Sequence, residues 1–133
     1  MTPRSILVVD DNPTNLKLVS DLLEFEGFRV LRACDAEIAQ EIIRSAPLDL
    51  ILMDIALPGM DGLSLTRLLK ADPATSQIVV VALTAFAMKG DKEFALQAGC
   101  DGYITKPIDT RAISGLVASY LGQAAPFVAG SVS

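Results

Sequence analysis

Five polar residues stand at or just beyond the ends of apolar runs. Asp10 and Asp11 follow residues 5–9, Asp54 follows 48–53, Thr84 closes 78–83, and Lys106 follows 102–105. Three carboxylates gathered in one crevice repel one another unless a proton or a cation is shared among them. A divalent cation is the natural counter-charge. Oxygen donors with no His in the chain and no Cys close by suit Mg²⁺, with Mn²⁺ an acceptable substitute, and do not suit zinc. A carboxylate beside such a cation can act as a nucleophile toward a phosphoryl donor. An ammonium and a hydroxyl can then stabilise the equatorial oxygens of the group in transit. Asp54 is the candidate nucleophile, with Thr84 and Lys106 as its phosphoryl contacts.

Each of these residues has an ordinary explanation when taken alone. An Asp pair ahead of a helix is commonly an N-cap, a Thr at a strand end a turn residue, and a Lys before Pro a solvated charge. Their joint occurrence at successive strand ends is what points to a site.

The elements that must position them alternate regularly. Residues 5–9 read as a strand that stops at the cap and turn residues Asp10, Asp11, Asn12 and Pro13. Residues 13–26 carry Leu16, Val19, Leu22 and Leu23 at helical spacing, and Gly27 ends the helix. Residues 28–33 read as a strand. Asp35 caps a helix whose apolar residues are Ile38, Ala39, Ile42 and Ile43, and Pro47 closes it. A third strand spans 48–53. A turn-rich stretch with Pro58, Gly59, Asp61 and Gly62 then leads to a helix through Ala71, with Leu63, Leu65, Leu68 and Leu69 as its apolar set. Residues 78–83 form a fourth strand, 88–98 a helix, 102–105 a short fifth strand and 109–121 the last helix.

This (βα)5 pattern predicts a doubly wound parallel sheet, joined by right-handed crossovers, with its ligand crevice at the carboxyl ends of the strands. Residues 4–121 form the single domain expected of this length. Residues 122–133, small and without periodicity, read as a disordered tail or a linker.

Composition narrows the function further. Half of the residues are apolar but only 5% aromatic, which suits strands buried on both faces. Sixteen acidic residues against eleven basic, with no basic cluster, leave no patch for direct nucleic-acid binding. No apolar run approaches the roughly 20 residues of a membrane span. The amino terminus lacks the form of a secretory signal. A cytoplasmic protein is expected, with Cys34 and Cys100 as reduced, packed thiols.

The run Leu7-Val8-Val9-Asp10-Asp11-Asn12 and the run Leu52-Met53-Asp54-Ile55-Ala56-Leu57-Pro58-Gly59-Met60-Asp61-Gly62 resemble those of response-regulator receivers, the CheY-like family. So do Ala82-Leu83-Thr84-Ala85 and Gly99-Cys100-Asp101-Gly102-Tyr103-Ile104-Thr105-Lys106-Pro107, in the same order, over residues 4–121. The resemblance implies a flavodoxin-like five-stranded sheet in the order 2-1-3-4-5. It implies phosphorylation of Asp54 by a histidine kinase or histidine phosphotransfer protein. It places Asp11, Asp54 and the Ala56 carbonyl on Mg²⁺, with Asp10 assisting through water, and makes the Lys106–Pro107 bond cis.

It further implies a switch in which Tyr103 follows Thr84 inward. The face made by the fourth helix, fifth strand and fifth helix then changes its affinity for a downstream protein target, and a phosphorylation-dependent homodimer can use the same face. Read from residues alone, Tyr103 is a partly buried aromatic on an edge strand. Asn15 and Leu16 match positions where a phosphotransfer bundle docks, although Leu16 reads equally well as core. Phe86, Met88 and Ile108 lie near the switch loops, as a docking patch or as mutual packing, and Pro107 is a further docking candidate. Ala56 and Phe86 stand two residues after Asp54 and Thr84, at positions that in similar receivers control how a hydrolytic water is held; both are apolar here, which predicts a long-lived aspartyl phosphate.

The run Thr84-Ala85-Phe86-Ala87-Met88-Lys89-Gly90-Asp91 is similar to stand-alone DivK-type regulators. A receiver module of a longer hybrid kinase or output-bearing regulator is the alternative. The chain is not expected to be an enzyme beyond catalysing its own phosphorylation and dephosphorylation. A flavin protein would want a Ser/Thr/Gly-rich loop after the first strand. An aspartate-nucleophile phosphatase would want its nucleophile on that strand.

Overall fold

The computed structural model describes residues 4–55, 62–84, 91–105 and 108–122. Five strands, β1 (Ser5–Val9), β2 (Arg29–Ala33), β3 (Leu50–Asp54), β4 (Val79–Thr84) and β5 (Gly102–Thr105), alternate with five helices. The helices are α1 (Pro13–Phe25), α2 (Ala36–Ser45), α3 (Gly62–Ala71), α4 (Asp91–Gln97) and α5 (Ile113–Tyr120). All strand pairs are parallel, in the order β2-β1-β3-β4-β5. The expected doubly wound, flavodoxin-like sheet is present.

The two-residue period of a strand divides the core in two. Leu7, Val9, Ile51, Met53, Val80 and Ala82 face one way and meet Ala39 and Ile43 of α2, Leu65 and Leu69 of α3 and Ala95 of α4. Ile6, Val8, Leu50, Leu52, Val81, Leu83 and Ile104 face the other way and meet Val19 and Leu23 of α1 with Ile113 and Val117 of α5. β1 and β3 are buried along their whole length. That is why they read as unbroken apolar runs, and it makes their carboxyl ends stiff platforms.

α1 and α4 end alike. Gly27 (φ 98°) donates to the Glu24 carbonyl while Phe28 donates to that of Leu23; Gly99 (φ 103°) donates to Leu96 while Cys100 donates to Ala95. These are paired Schellman bonds that place a glycine where the backbone turns left-handed.

Several expectations are corrected. α5 begins at Ile113, not at 109, because Asp109 turns the chain: its Oδ1 accepts from the Arg111 amide at 2.9 Å and its carbonyl from those of Ala112 and Ile113. An Asx side chain that satisfies nearby amides competes with helix in this way. α4 ends at Gln97, and residues 88–90 lie outside the described residues. Phe28, Leu48 and Ile78 precede their strands rather than open them. Leu68 and Ile38 are exposed although their spacing matches their helices' apolar faces, because each lies at the edge of the buried stripe. Cys34 is exposed beyond β2 and is not a packed thiol; Cys100 is buried. Among the described residues no helix is long and apolar enough to cross a membrane.

Candidate functional site

Parallel pairing brings the carboxyl ends of β1, β3 and β4 to one edge. Val9 is opposite Met53 and Asp54 is opposite Leu83, so Asp10 and Thr84 each stand one residue beyond a partner of the β3 end. The ladder continues past the strands: the Asp10 amide donates to the Ala33 carbonyl and the Ile55 amide to that of Leu83, both at 3.1 Å. Thr84 is in register with Thr105, the residue before Lys106.

The acidic pair is not the cap of α1. Asn12 caps it, its Oδ1 accepting from the Thr14 amide at 3.0 Å and the Asn15 amide at 3.2 Å. Asp10 Oδ1 in turn accepts from the Asn12 amide at 2.9 Å, which fixes the turn and the side chain together. One carboxylate oxygen from each of Asp10, Asp11 and Asp54 lies within 4.8 Å of the others. Asp10 is 1% exposed and Asp54 3%, whereas Asp11 opens to solvent. Thr84 is buried at the same edge. Such a donor set, three carboxylate oxygens with neither nitrogen nor sulfur, fits a hard divalent cation such as Mg²⁺.

The remaining site candidates divide. Ala56, Phe86, Lys106 and Pro107 lie outside the described residues. Tyr103 is half-buried on β5 against the core layer of α2, α3 and α4, and Ile108 packs on the opposite layer. Leu16 also packs inward on that opposite layer, while Leu18 of the same helix faces solvent. Asn15 is half-buried beside the Asn12 cap.

Sequence reasoning passed over Gly62. A Cβ there would overlap the carbonyl oxygen of Asp54, so only glycine lets the first turn of α3 approach that strand end. In the sequence Gly62 is one more turn residue, and nothing in its neighbours signals the contact.

Residues 6–118 match the family model described as the response regulator receiver domain. The chain belongs to this family. It is a receiver domain of a response regulator of two-component systems, a family whose members work between histidine kinases and downstream targets. It is 45% identical over 122 residues to the polar-differentiation response regulator DivK of Brucella anthropi, covering 92% of this chain and 99% of that protein. Among solved structures it resembles a CheY-like receiver domain protein from Methanospirillum hungatei JF-1, with a TM-score of 0.83 and 32% identity over 92% of this chain and 96% of the other. It also resembles the receiver domain of a sensor histidine kinase from Pseudomonas aeruginosa PAO1, at a TM-score of 0.82 and 35% identity over 91% of this chain and 99% of that one. That structure has a magnesium ion coordinated in its active site cleft.

Proposed function

We propose that Asp54 accepts a phosphoryl group from a histidine kinase or histidine phosphotransfer protein, with Mg²⁺, and that the modified receiver changes its affinity for a downstream protein. The observation that carries this reading is the convergence of the Asp10, Asp11 and Asp54 oxygens within 4.8 Å at the carboxyl edge of a receiver sheet. Asp10, Asp11, Asp54 and the Ala56 carbonyl would hold the cation, which supplies counter-charge to the phosphoryl oxygens.

One carboxylate oxygen of Asp54 attacks phosphorus, the P–N bond of the donor phosphohistidine breaks, and the imidazole leaves and takes up a proton. The Thr84 hydroxyl and the Lys106 ammonium stabilise the equatorial oxygens, where charge is spread in the transition state. The new acceptor oxygens give Thr84 a partner to move toward, and Tyr103 on the neighbouring strand follows. The face of α4, β5 and α5 then binds its protein target or a second copy of the chain; Leu96 of α4 and Leu116 of α5 are exposed.

The receiver turns over no substrate but its own phosphoryl group, and we place it in the cytoplasm. Near-complete coverage of the DivK relatives supports a stand-alone regulator. Likeness to the receiver of a sensor histidine kinase favours a module of a longer kinase as the second reading. The size of the native protein in cell extract separates the two.

The test is intact mass after incubation with acetyl phosphate and Mg²⁺. One phosphoryl adduct on the native chain and none on Asp54→Asn is expected. An adduct on both, or on neither, overturns the assignment of Asp54 as acceptor.

A further inference from the structure

The first turn of α3 and the carboxyl end of β3 meet backbone to backbone. Besides its overlap with the Asp54 carbonyl, a Cβ on Gly62 would lie 2.9 Å from Ile55 Cα and 2.9 Å from Met53 Cγ. Carbon atoms in ordinary contact stand about 3.5–4.0 Å apart. Two of these three neighbours are main-chain atoms, which cannot swing aside as a flexible side chain would. The Gly62 amide also donates to the Ile55 carbonyl at 3.3 Å. The residue bearing the central carboxylate and the one after it are therefore held by the start of α3.

That turn is itself held from the far side. The Gly62 carbonyl accepts from Thr66 Oγ1 at 2.8 Å, and Thr66 has no exposed surface. Cys100, buried in the segment that leads into β5, places its Sγ 3.9 Å from Thr66 Oγ1 as a weak donor. Burial pushes the Cys100 thiol up, which keeps it protonated and able to donate at neutral pH. A buried Thr bonded to the carbonyl four residues back is a common way to satisfy a hydroxyl, and by itself means nothing for function. Here the polar chain Cys100–Thr66–Gly62 runs through an apolar layer and ends against the backbone of Asp54.

We propose that Gly62 and Thr66 are positioning residues for Asp54. Gly62 lets α3 press on the Asp54 and Ile55 backbone, and Thr66 fixes the Gly62 carbonyl from behind. Together they set where the Asp54 carboxylate stands relative to Asp10 and Asp11. The inference rests on the reading of Asp54 as phosphoryl acceptor.

The geometry sets the scale of the effect. To relax the 2.9 Å contact with Ile55 Cα to an ordinary one, the turn or the strand end must withdraw by at least about 0.6 Å. A misplacement of about 1 Å costs on the order of 10²-fold in rate. Gly62→Ala is therefore expected to slow phosphorylation about 10- to 100-fold. Thr66→Val, which keeps the shape and removes the hydroxyl, slows it several-fold, and Thr66→Ser restores it.

The measurement is the rate of Asp54 phosphorylation by acetyl phosphate at saturating Mg²⁺, followed by intact mass well below the unfolding midpoints. Titrating acetyl phosphate separates the maximal rate from the half-saturating concentration. A fall in maximal rate with half-saturation unchanged is the signature of a misplaced acceptor. Lys70→Met is the stability control, because its Nζ donates to the Ser76 and Ile78 carbonyls and to Asp101 and touches none of the three aspartates. It is expected to lower the melting temperature and leave the rate unchanged.

Wild-type rates in both Gly62→Ala and Thr66→Val overturn the inference. So does a slowing shared with Lys70→Met in proportion to lost stability. If Gly62→Ala does not fold, the Thr66→Val and Thr66→Ser pair decides. A wild-type chain that takes no phosphoryl group on Asp54 overturns the reading of the acceptor and the inference with it. A phosphorylated wild type with unaffected variants sinks the inference alone.

Discussion

Replacing Asp54 by Asn should stabilise the metal-free protein, although it removes a buried residue of the site. Two unit charges 4.8 Å apart interact by about 3.5 kcal/mol at an effective dielectric constant near 20. Asp54 stands within that distance of both Asp10 and Asp11, so neutralising it relieves two repulsions at once. Asp11 is exposed and its share is strongly screened, whereas Asp10 and Asp54 are both buried and theirs is not. Asn keeps the size of Asp and one acceptor oxygen, so the packing of the β3 end is preserved. After allowance for screening, a gain on the order of 2 kcal/mol is expected. That is a shift of roughly 1 M in the urea midpoint.

The assay is urea unfolding by circular dichroism in EDTA and again in excess MgCl2. On the proposed reading magnesium would bind only the folded wild-type cluster, and at a hundred times its dissociation constant it would add about 2.7 kcal/mol. The order of stability should therefore reverse: Asp54→Asn above wild type in EDTA, and wild type level with it or above it in MgCl2. A variant less stable than wild type in EDTA would refute the idea that net repulsion is held at this edge. Equal stabilisation of both chains by Mg²⁺ would refute the three-aspartate cluster as its site.

Three further outcomes can be checked on the same protein. The aspartyl phosphate is expected to outlast seconds in purified Mg²⁺-containing solution, because neither Ala56 nor Phe86 supplies a side-chain acceptor for water; decay of the adduct mass with time gives the lifetime, and loss within seconds contradicts this. Exposed Cys34 should be alkylated in the native chain by a neutral reagent at pH 8 while buried Cys100 reacts only after unfolding, as peptide mapping will show. Burial raises the Cys100 thiol above the ordinary thiol value of 9.0, so the unfolded chain ionises there first. The contribution of Cys100 to stability is then complete below that value and lost as pH rises through the folded one. Cys100→Ala should flatten the alkaline decline.

How much of this was legible in the sequence follows from how locally each feature is determined. β1, β3 and β4 are buried on both faces and declare themselves as apolar runs, and the turn chemistry of Gly27 and Gly99 marks two helix ends. The polar residues at the strand ends could be collected because a parallel sheet sends every carboxyl end to one edge. The order 2-1-3-4-5 is different: alternation of strands and helices permits several orders, and family resemblance supplied the one observed. The start of α5 was misplaced because Asp109 resembles a cap but spends its side chain and carbonyl on a turn. Asn12 was hidden behind two Asp residues equally able to cap α1. Leu16 was legible as inward-facing from its spacing with Val19, Leu22 and Leu23, a stripe that leaves Leu18 outside. Gly62 was illegible in principle, since its partner is a main-chain oxygen eight residues back and no side-chain pattern encodes such a contact.

The same rigidity that made the strands legible accounts for the site's chemistry. Three like charges in a flexible loop would drift apart at little cost. Asp10 and Asp54 cannot, because each directly continues or ends a strand buried on both faces and tied by ladder bonds beyond its last residue. Asp10 is further held by the Asn12 amide, and the Asp54 backbone by the approach of Gly62. Repulsion that cannot relax by movement is met by a shared proton or by a positive charge. On the proposed reading a cation held this way would face the oxygens of an incoming phosphoryl group, so that repulsion among the three carboxylates becomes affinity for the charged reactants of the modification.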